Sequence, residues 1–202
     1  VHGVSGLERI RFLTSHPNDM SDRIIRAAAD LPKVCEHINL PVQAGDDDVL
    51  KSMRRPYTRQ EFKDLVGRIR DIIPHSSLAT DIIVGFPGET EEQFQRTVDL
   101  IAALRPDKVH TAAYSPRPGT IAGRTMEDDV SKEEKPRRRV QLEDLQEGIL
   151  TEINSALFGQ EVDILVEGCR DGKWQGRTRT DKLVFFQSED EHLGQLVDLN
   201  IT

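Results

Sequence analysis

The pattern of apolar and polar residues over the first 120 positions predicts four strands, each followed by a helix. Strands are expected where short apolar or alternating stretches end at turn formers, at 9–17, 37–42, 78–84 and 108–114. Helices are expected where apolar residues recur every three or four positions, at 20–31, 46–53, 59–73 and 91–104. Two of these helices open with the form of a capping box, at Thr58 and Thr90. Strands and helices that alternate in this way predict a parallel sheet with right-handed crossovers.

The pattern changes after Thr120. Residues 121–135 are polar and rich in turn formers, and an amphipathic helix is expected from about Pro136 to Leu157. Four short apolar stretches separated by glycine turns follow, at 161–167, 173–180, 183–187 and 195–201. Such strands favour a small antiparallel barrel. The predicted fold class is therefore α/β, with a partial parallel (β/α) barrel of four strands and their helices followed by a small antiparallel β-barrel.

Composition narrows the class of protein. No run of about 18 apolar residues occurs, so no membrane-spanning helix is predicted. The net charge of −8 argues against indiscriminate nucleic-acid binding. All five basic side chains of residues 140–202 lie between Arg170 and Lys182, where a solvated turn or a local phosphate contact would explain them. Cys35 and Cys169 are far apart, which argues against a disulfide scaffold and favours a cytoplasmic protein.

The third predicted strand runs into Gly85-Phe86-Pro87-Gly88-Glu89, the most informative stretch of the chain. Parallel α/β proteins bind their ligands at the carboxyl ends of strands. The bare backbone at Gly85 and Gly88 would let a bulky ligand approach closely. The alternative is a plain strand-to-helix turn in which Glu89 favours the start of the helix.

Three further polar residues stand at the ends of other predicted strands. Gln43 ends the second strand, and its amide can both donate and accept hydrogen bonds, which suits a ribose or an amino-acid headgroup. His16 closes the first strand. Arg117 lies between two prolines, in a stiff loop where a guanidinium can bind a carboxylate or phosphate bidentately. The alternatives are that Gln43 is a turn residue, that His16 has a structural role, and that Arg117 pairs with an acidic side chain on the surface.

Taken in order, these motifs resemble the methylthiotransferase family of radical S-adenosylmethionine (SAM) enzymes, and within it the MiaB type that modifies tRNA. The matching segments are Thr14-Ser15-His16-Pro17, Asn39-Leu40-Pro41-Val42-Gln43-Ala44-Gly45, Tyr57-Thr58-Arg59, Asp81-Ile82-Ile83-Val84-Gly85-Phe86-Pro87-Gly88-Glu89-Thr90-Glu91, Tyr114-Ser115-Pro116-Arg117-Pro118-Gly119-Thr120 and Gly176-Arg177-Thr178. The resemblance implies that residues 1–138 are the later strands of a radical SAM barrel. Residues 139–202 would then be a linker helix and a TRAM domain, a small β-barrel that helps to hold RNA.

The resemblance also implies which residues bind the cofactors. The residues expected to bind SAM are Gln43, Gly85, Gly88, Glu89, Arg117 and His16. Two [4Fe-4S] clusters, held by cysteines, are expected in the full-length protein. Neither Cys35 nor Cys169 matches a cluster ligand, and the chain opens on Val1 without the family's cysteine loop. We therefore expect a fragment with no metal ligand and no catalytic residue of its own, inactive alone.

RNA-binding residues are expected on the hairpin of the last domain. RNA-binding proteins combine cationic side chains with aromatic stacking. The hairpin offers Trp174, Arg177, Arg179 and Lys182. The arginines at 54, 55, 59 and 137–139 form a weaker set, because such runs are usually solvated helix faces.

For the intact enzyme, the resemblance implies methylthiolation of C2 of N6-isopentenyladenosine beside the anticodon, with tRNA and a reductant such as flavodoxin or ferredoxin as partners. One alternative is the sister enzyme that methylthiolates an aspartate of a ribosomal protein, which Met53-Arg54-Arg55-Pro56 favours slightly. Another is an RNA-binding module without catalysis. Because early barrel strands are missing, we also expect self-association through an unpaired sheet edge, which light scattering over a range of concentrations would test.

Overall fold

The structure, a computed structural model, describes residues 1–13 and 16–202. Thr14 and Ser15, the first half of one predicted motif, lie outside the described residues. The helices are α1 (Asp22–Asp30), α2 (Asp47–Ser52), α3 (Arg59–Ile72), α4 (Glu91–Leu104), α5 (Ile121–Thr125) and α6 (Glu134–Ser155). The strands are β1 (His37–Asn39), β2 (Ser77–Val84), β3 (Lys108–Ala113), β4 (Glu161–Arg170), β5 (Lys173–Thr178), β6 (Leu183–Phe186) and β7 (Leu196–Asn200). Among the described helices, none combines the length and the apolar character that crossing a bilayer requires.

The first sheet is parallel, in the order β1-β2-β3, which confirms the predicted arrangement. Along β2 the side chains alternate between two faces of the sheet. Ile82 and Val84 belong to the core that the helices cover, whereas Asp81 and Ile83 are half-buried on the opposite face. The register pairs Asp81 with His110 of β3, so both side chains lie on that open face. Within the described residues β3 is paired on one edge, and self-association through the other stays a prediction.

No strand forms over residues 9–13, 16 and 17, the described part of the strand predicted at 9–17. Ile10 makes an isolated parallel bridge with Val34 and no longer ladder. The residues that flank Ile10 explain this, because Arg9 and Arg11 turn to the second sheet. Arg9 forms an ion pair with Asp163 of β4 at 2.6 Å. The described part of the parallel sheet therefore has three strands, where the sequence predicted four.

Helix α6 covers the parallel sheet along the direction of its strands. Leu142 and Ile149 are buried in the main core. Near its start, Arg138 contacts Glu89 just beyond the end of β2. Further along, the amide of Gln146 donates to the carbonyl oxygens of residues 106 and 107, just before β3. The predicted domain boundary at 138/139 thus falls inside α6, and where the functional units divide stays a prediction.

The second sheet is antiparallel, in the order β6-β5-β4-β7. Its small core centres on Ile164, Val166 and Trp174. The predicted closed barrel is not found in the described residues, because the edge strands β6 and β7 are short and do not pair with each other. Phe185 of β6 and Leu199 of β7 instead line an open groove of about 540 Å³.

The second sheet attaches where the parallel strands begin. Lys182 forms an ion pair with Asp107, just before β3, at 2.6 Å. Arg179 binds Glu36, just before β1, at 2.6 Å. The two sheets are therefore joined at the end of the parallel strands that lies opposite their carboxyl ends.

The backbone of the loop after β1 passes unusually close to α4 at Gly45. A Cβ atom there would lie 2.5 Å from the Cα of Thr97 and 2.7 Å from the carbonyl oxygen of Arg96. The Gly45 N–H donates to Thr97 Oγ1 at 2.8 Å, which fixes the contact. Only a residue without a side chain fits this approach.

We predict opposite effects for two glycine-to-alanine substitutions. Gly45→Ala should lower the free energy of unfolding by about 1–3 kcal/mol, because backbone atoms must move. Gly67→Ala, in the interior of α3 with open space at its Cβ, should raise it by about 0.5–1 kcal/mol. Urea unfolding of both variants measures the difference, and a neutral Gly45→Ala would contradict the close packing.

Candidate functional site

Gln43 stands at the carboxyl end of β1 in a strained backbone conformation. Its φ is 75°, in the left-handed region, and the residue is 8% exposed. Its N–H donates to the Asp81 carbonyl and its carbonyl accepts from the Ile83 N–H, each at 2.9 Å. These bonds to β2 hold a conformation that costs roughly 1–3 kcal/mol for such a residue and is common at functional sites.

Tyr57 supports this strand end from behind. Its hydroxyl donates to the carbonyl oxygens of Pro41 and Val42, at 3.0 and 3.1 Å. Burial raises the pKa of the Tyr57 hydroxyl, although nearby Arg55 lowers it. His16 packs edge-on against the Tyr57 ring, with the ring centroids 5.7 Å apart. His16 therefore lies beside Tyr57. Its side chain also accepts from the Asn18 N–H and so caps the short helical turn at residues 17–19.

The sequence reasoning missed Asp46 as a structural residue of this site. It is buried, and one of its carboxylate oxygens accepts from the N–H groups of Asp48 and Val49, each at 3.1 Å. The same oxygen accepts from the Gln93 amide at 3.0 Å, and Arg96 forms an ion pair with the other. In the sequence, the run Asp46-Asp47-Asp48 indicates only a favourable helix start. The contacts with α4 could not be read from that local signal.

The Gly85–Glu89 turn is folded back on itself. The Gly85 N–H donates to Glu89 Oε2 at 2.6 Å, and the Gly88 N–H donates to Asp129 Oδ1 at 2.7 Å. Gly85 and Gly88 have φ values of 68° and 80°, which explains why both are glycine. These backbone donors therefore bind carboxylates of the chain itself.

Glu89 and Arg138 form a buried ion pair at 2.8 Å, with side chains 1% and 5% exposed. Burial raises the pKa of the Glu89 carboxyl, while the Gly85 N–H and the Arg138 guanidinium lower it. Lys135, one turn earlier on α6, lies against Gly85, where a Cβ would come within 2.5 Å of Lys135 Cγ. The end of β2 is therefore clamped to the start of α6.

A small cavity of about 260 Å³ lies where the three parallel strands end, and we call it the rim cavity. Segments from all three strand ends line it. These segments are residues 52–55 after β1, Ile83 and Phe86 at the end of β2, and residues 120–122 and 126 after β3. Such convergence of strand ends is where α/β proteins place their ligands.

Arg117 is exposed, and its loop leads into this cavity. Its carbonyl oxygen accepts from the Thr120 hydroxyl at 2.8 Å. Thr120 in turn caps α5 by accepting from the Gly123 N–H at 3.1 Å. The structure thus brings Gln43 and the Gly85–Glu89 turn to the same strand ends, with Arg117 at the edge of that region.

Comparison with known proteins identifies the fold and its relatives. Residues 4–101 match the radical SAM superfamily. The chain is 52% identical over 201 residues to a tRNA-2-methylthio-N(6)-dimethylallyladenosine synthase of Dehalococcoides mccartyi strain CBDB1, covering 100% of this chain and 48% of that protein. The matched region is just under half of the chain.

Further comparisons give similar relatives. A synthase of the same name from Roseiflexus sp. strain RS-1 is 54% identical over 206 residues, which covers 100% of this chain and 43% of that protein. Among solved structures, the radical SAM enzyme coproporphyrinogen III oxidase of Escherichia coli has a TM-score of 0.55 and 21% identity, covering 71% of this chain and 32% of that one. That likeness supports the fold alone. The chain spans about half the length of the curated relatives that it matches.

Radical SAM enzymes carry an iron–sulfur cluster, and the described residues do not fit one. Among residues 1–13 and 16–202 no group of three or more histidine, cysteine, aspartate or glutamate side chains could hold a metal ion. Cys35 is buried and Cys169 is exposed on β4. Burial raises the pKa of the Cys35 thiol, which disfavours the thiolate that a cluster needs.

The four residues predicted to bind RNA all make contacts within the chain. Arg179 donates to Glu36 and to the carbonyl oxygens of Pro32 and Val34, and Lys182 binds Asp107. Arg177 pairs with Glu167 at 3.3 Å, and the Trp174 indole N–H donates to the Ser188 carbonyl at 3.3 Å. Arg179 and Lys182 thus lie in the contact between the sheets. RNA binding by these residues stays a prediction.

The clamp at the end of β2 predicts a pH-dependent loss of stability. Arg138→Met should lower the free energy of unfolding by about 3–5 kcal/mol at pH 7.5, because it leaves Glu89 charged and buried. A carboxyl whose pKa is raised by folding stabilises the folded state below its unfolded pKa and loses that contribution as the pH rises. The loss in free energy of unfolding caused by Arg138→Met should therefore become smaller towards pH 4. Chemical unfolding at several pH values measures this.

The neighbouring Arg139→Met provides the control, since Arg139 is half exposed and, among residues 1–13 and 16–202, pairs with Glu143 alone. It should change stability by less than about 0.5 kcal/mol. The double variant Glu89→Gln, Arg138→Met should recover part of the loss at pH 7.5. An equal loss from Arg138→Met at pH 4 and pH 7.5 would show that Glu89 is not the group left unpaired.

A substitution of Arg179 distinguishes a role in the contact between the two sheets from a role in RNA binding. Arg179→Gln should lower the free energy of unfolding by roughly 1–3 kcal/mol, because charged hydrogen bonds to Glu36 are lost. Arg170→Gln, whose side chain is 85% exposed, should be neutral. The opposite result would favour an RNA contact: stability stays unchanged in Arg179→Gln, and the slope of the logarithm of the tRNA binding constant against the logarithm of the salt concentration falls in magnitude by about one.

Proposed function

We propose that this chain forms part of an enzyme that methylthiolates C2 of N6-dimethylallyladenosine in tRNA by radical SAM chemistry. The observation that carries the proposal is the 52% identity to a synthase of that name over the whole chain. Identity at this level includes both sheets and the helix between them. The similarity therefore extends over a continuous half of such an enzyme and is not limited to a cofactor-binding motif.

SAM fits the residues at the strand ends. Bound SAM supplies the methyl group and the source of the radical in such enzymes. The Gln43 amide would bind a ribose or amino-acid headgroup, and the Arg117 guanidinium would bind a carboxylate. Gly85, Gly88 and Glu89 would shape the wall of the pocket, held rigid by the clamp to α6. His16 would act from behind through Tyr57.

The second sheet would hold the RNA. Trp174, Arg177, Arg179 and Lys182 are proposed contacts, and their internal bonds would keep them preorganised. The substrate and the other partners follow from the relatives' names and the chemistry. We propose that the enzyme works in the cytoplasm, where tRNA is found, with a flavodoxin- or ferredoxin-like reductant. The iron–sulfur clusters would be held outside the described residues, so no step is assigned to them here.

A chimera tests the proposal directly. Residues 1–202 replace the matching half of the Dehalococcoides mccartyi relative, and the chimera is expressed in a bacterial strain that lacks the synthase. Mass spectrometry of digested tRNA should detect 2-methylthio-N6-dimethylallyladenosine. Gln43→Ala should reduce the product at least about tenfold, because a pocket contact is lost.

Gln95→Ala is the matched control, since Gln95 lies exposed on α4 and its amide donates to Asp99, one helical turn further along. It should leave the product level unchanged. A chimera that folds and binds SAM but yields no methylthiolated nucleoside would overturn the proposed function.

A further inference from the structure

A further cavity lies at the junction of the two sheets, at the opposite end of the parallel strands from the rim cavity. It has a volume of about 420 Å³, and we call it the junction cavity. Helix α6 contributes Gln146 and Leu150, the starts of β1 and β3 contribute His37 and Lys108, and β6 contributes Leu183. Ligand pockets occur preferentially between domains and enclose roughly 300–1,000 Å³. The junction cavity therefore has the size and the position that are typical of a small-molecule site.

Gln146 carries an acceptor that lacks a donor. Its side-chain N–H groups donate to the carbonyl oxygens of Pro106 and Asp107, at 3.2 and 3.3 Å. Turning the amide over would set its oxygen against those two carbonyl oxygens, so these bonds fix its orientation. Gln146 Oε1 is buried, and among residues 1–13 and 16–202 no donor reaches it. A buried acceptor without a donor costs free energy, so a donor supplied by a ligand would satisfy it.

His37 leaves one ring nitrogen available to a ligand. Its Nδ1 lies 2.8 Å from Ser77 Oγ, whereas its Nε2 lies 4.0 Å from Asp181 Oδ2, beyond hydrogen-bond distance. Burial lowers the pKa of the His37 imidazole although the Asp181 carboxylate raises it, so the ring is neutral at pH 7. A neutral ring nitrogen can accept or donate one hydrogen bond.

The charges around the junction cavity favour an anionic group. The Asp107 carboxylate pairs with Lys182 at 2.6 Å, and Asp181 pairs with Arg11 at 3.2 Å. Lys108 is exposed, and within the part of the chain that the structure describes it pairs with no carboxylate. Because the two acids are balanced by other cations of the chain, the charge of Lys108 remains for a ligand.

We propose that the junction cavity binds an adenosine 5′-monophosphate (AMP) unit. The exocyclic amine of adenine supplies the donor that Gln146 Oε1 lacks, and the phosphate lies at Lys108. Leu150 and Leu183 provide apolar contacts for the base, and His37 Nε2 is available to the ribose. Guanine and hypoxanthine carry a carbonyl oxygen at the ring position of that amine, and this oxygen would oppose Gln146 Oε1.

The proposal goes beyond the reaction proposed above, because it adds a nucleotide site at the end of the sheet that lies opposite the strand ends. The nucleotide is either free or part of an RNA chain, since both carry the same groups. In either case it contacts residues on both sides of the junction, Lys108 on β3 and Leu183 on β6. Binding should therefore stabilise the attachment of the second sheet.

Histidine signals locate the bound nucleotide. The chain, which has six histidines, is labelled with ¹⁵N at their rings and titrated with AMP. The signals of His37, assigned with His37→Gln, should shift. Those of His16, beside Tyr57 at the other end of the strands, should not. Inosine 5′-monophosphate should bind at least about tenfold more weakly than AMP, because a carbonyl replaces the amine.

Two substitutions test the volume and the charge of the junction cavity separately. Leu150→Trp fills the cavity from α6 and should weaken AMP binding at least about tenfold. Val140→Trp, at an exposed position of the same helix outside the cavity, is the matched control and should leave the affinity unchanged. Circular dichroism checks that both variants are folded.

Lys108→Gln should weaken AMP at least about threefold and leave the affinity for adenosine unchanged, because only the phosphate contact is lost. Lys173→Gln, at an exposed position of β5, should change neither affinity. A short 5′-phosphorylated oligoadenylate then distinguishes the two sources of the nucleotide. Tighter binding of the oligonucleotide than of AMP identifies RNA as the source, and equal or weaker binding identifies the free nucleotide. Both results retain the site.

Four results would contradict the inference. These are shifts of the His16 signals without those of His37, equal affinity for the adenine and hypoxanthine nucleotides, unaltered binding in a folded Leu150→Trp variant, or no binding at about 1 mM AMP. The chimera assay reports on the opposite end of the strands and tests the proposed function separately.

Discussion

Glu89 and Arg138 place two opposite charges out of contact with water at the point where β2 ends and α6 begins. Removing both charges from solvent is costly, and their attraction alone does not offset it. The Gly85 N–H and Glu134 supply the additional hydrogen bonds, so both charged groups are satisfied. This pair fixes the start of α6, the longest of the described helices, against the end of β2.

The clamp also changes the meaning of the glycine-rich turn. In sequence, Gly85 and Gly88 indicate bare backbone left open for a ligand. In the structure, the Lys135 side chain lies against Gly85, and Asp129 accepts a hydrogen bond from the Gly88 N–H. The space and the donor at these two glycines are therefore used by other residues of the chain. The side chains that line the rim cavity at this strand end are those of Ile83 and Phe86. The turn provides rigidity.

The elements that were predicted correctly depend on local signals. The capping boxes at Thr58 and Thr90 both form, and the helices behind them end within a residue or two of the predicted positions. Residues 9–13 form no ladder, and Arg9 among them pairs with Asp163, more than 150 residues away in the chain. The link from Arg179 to Glu36 spans 143 residues and was equally hidden. Long-range ion pairs leave no periodicity in the sequence, so the strand ends could be located but the roles of the arginines could not.

The second sheet joins the parallel sheet at the end remote from the rim cavity, so the length of the parallel strands sets the distance between the two. The eight residues of β2 separate the two ends by roughly 26 Å, at about 3.3 Å for each residue. A molecule that contacts both Ile83 and the residues that join the sheets, Arg179 and Lys182, must extend about that far. A free nucleoside is too short for this, whereas a folded polynucleotide has the reach.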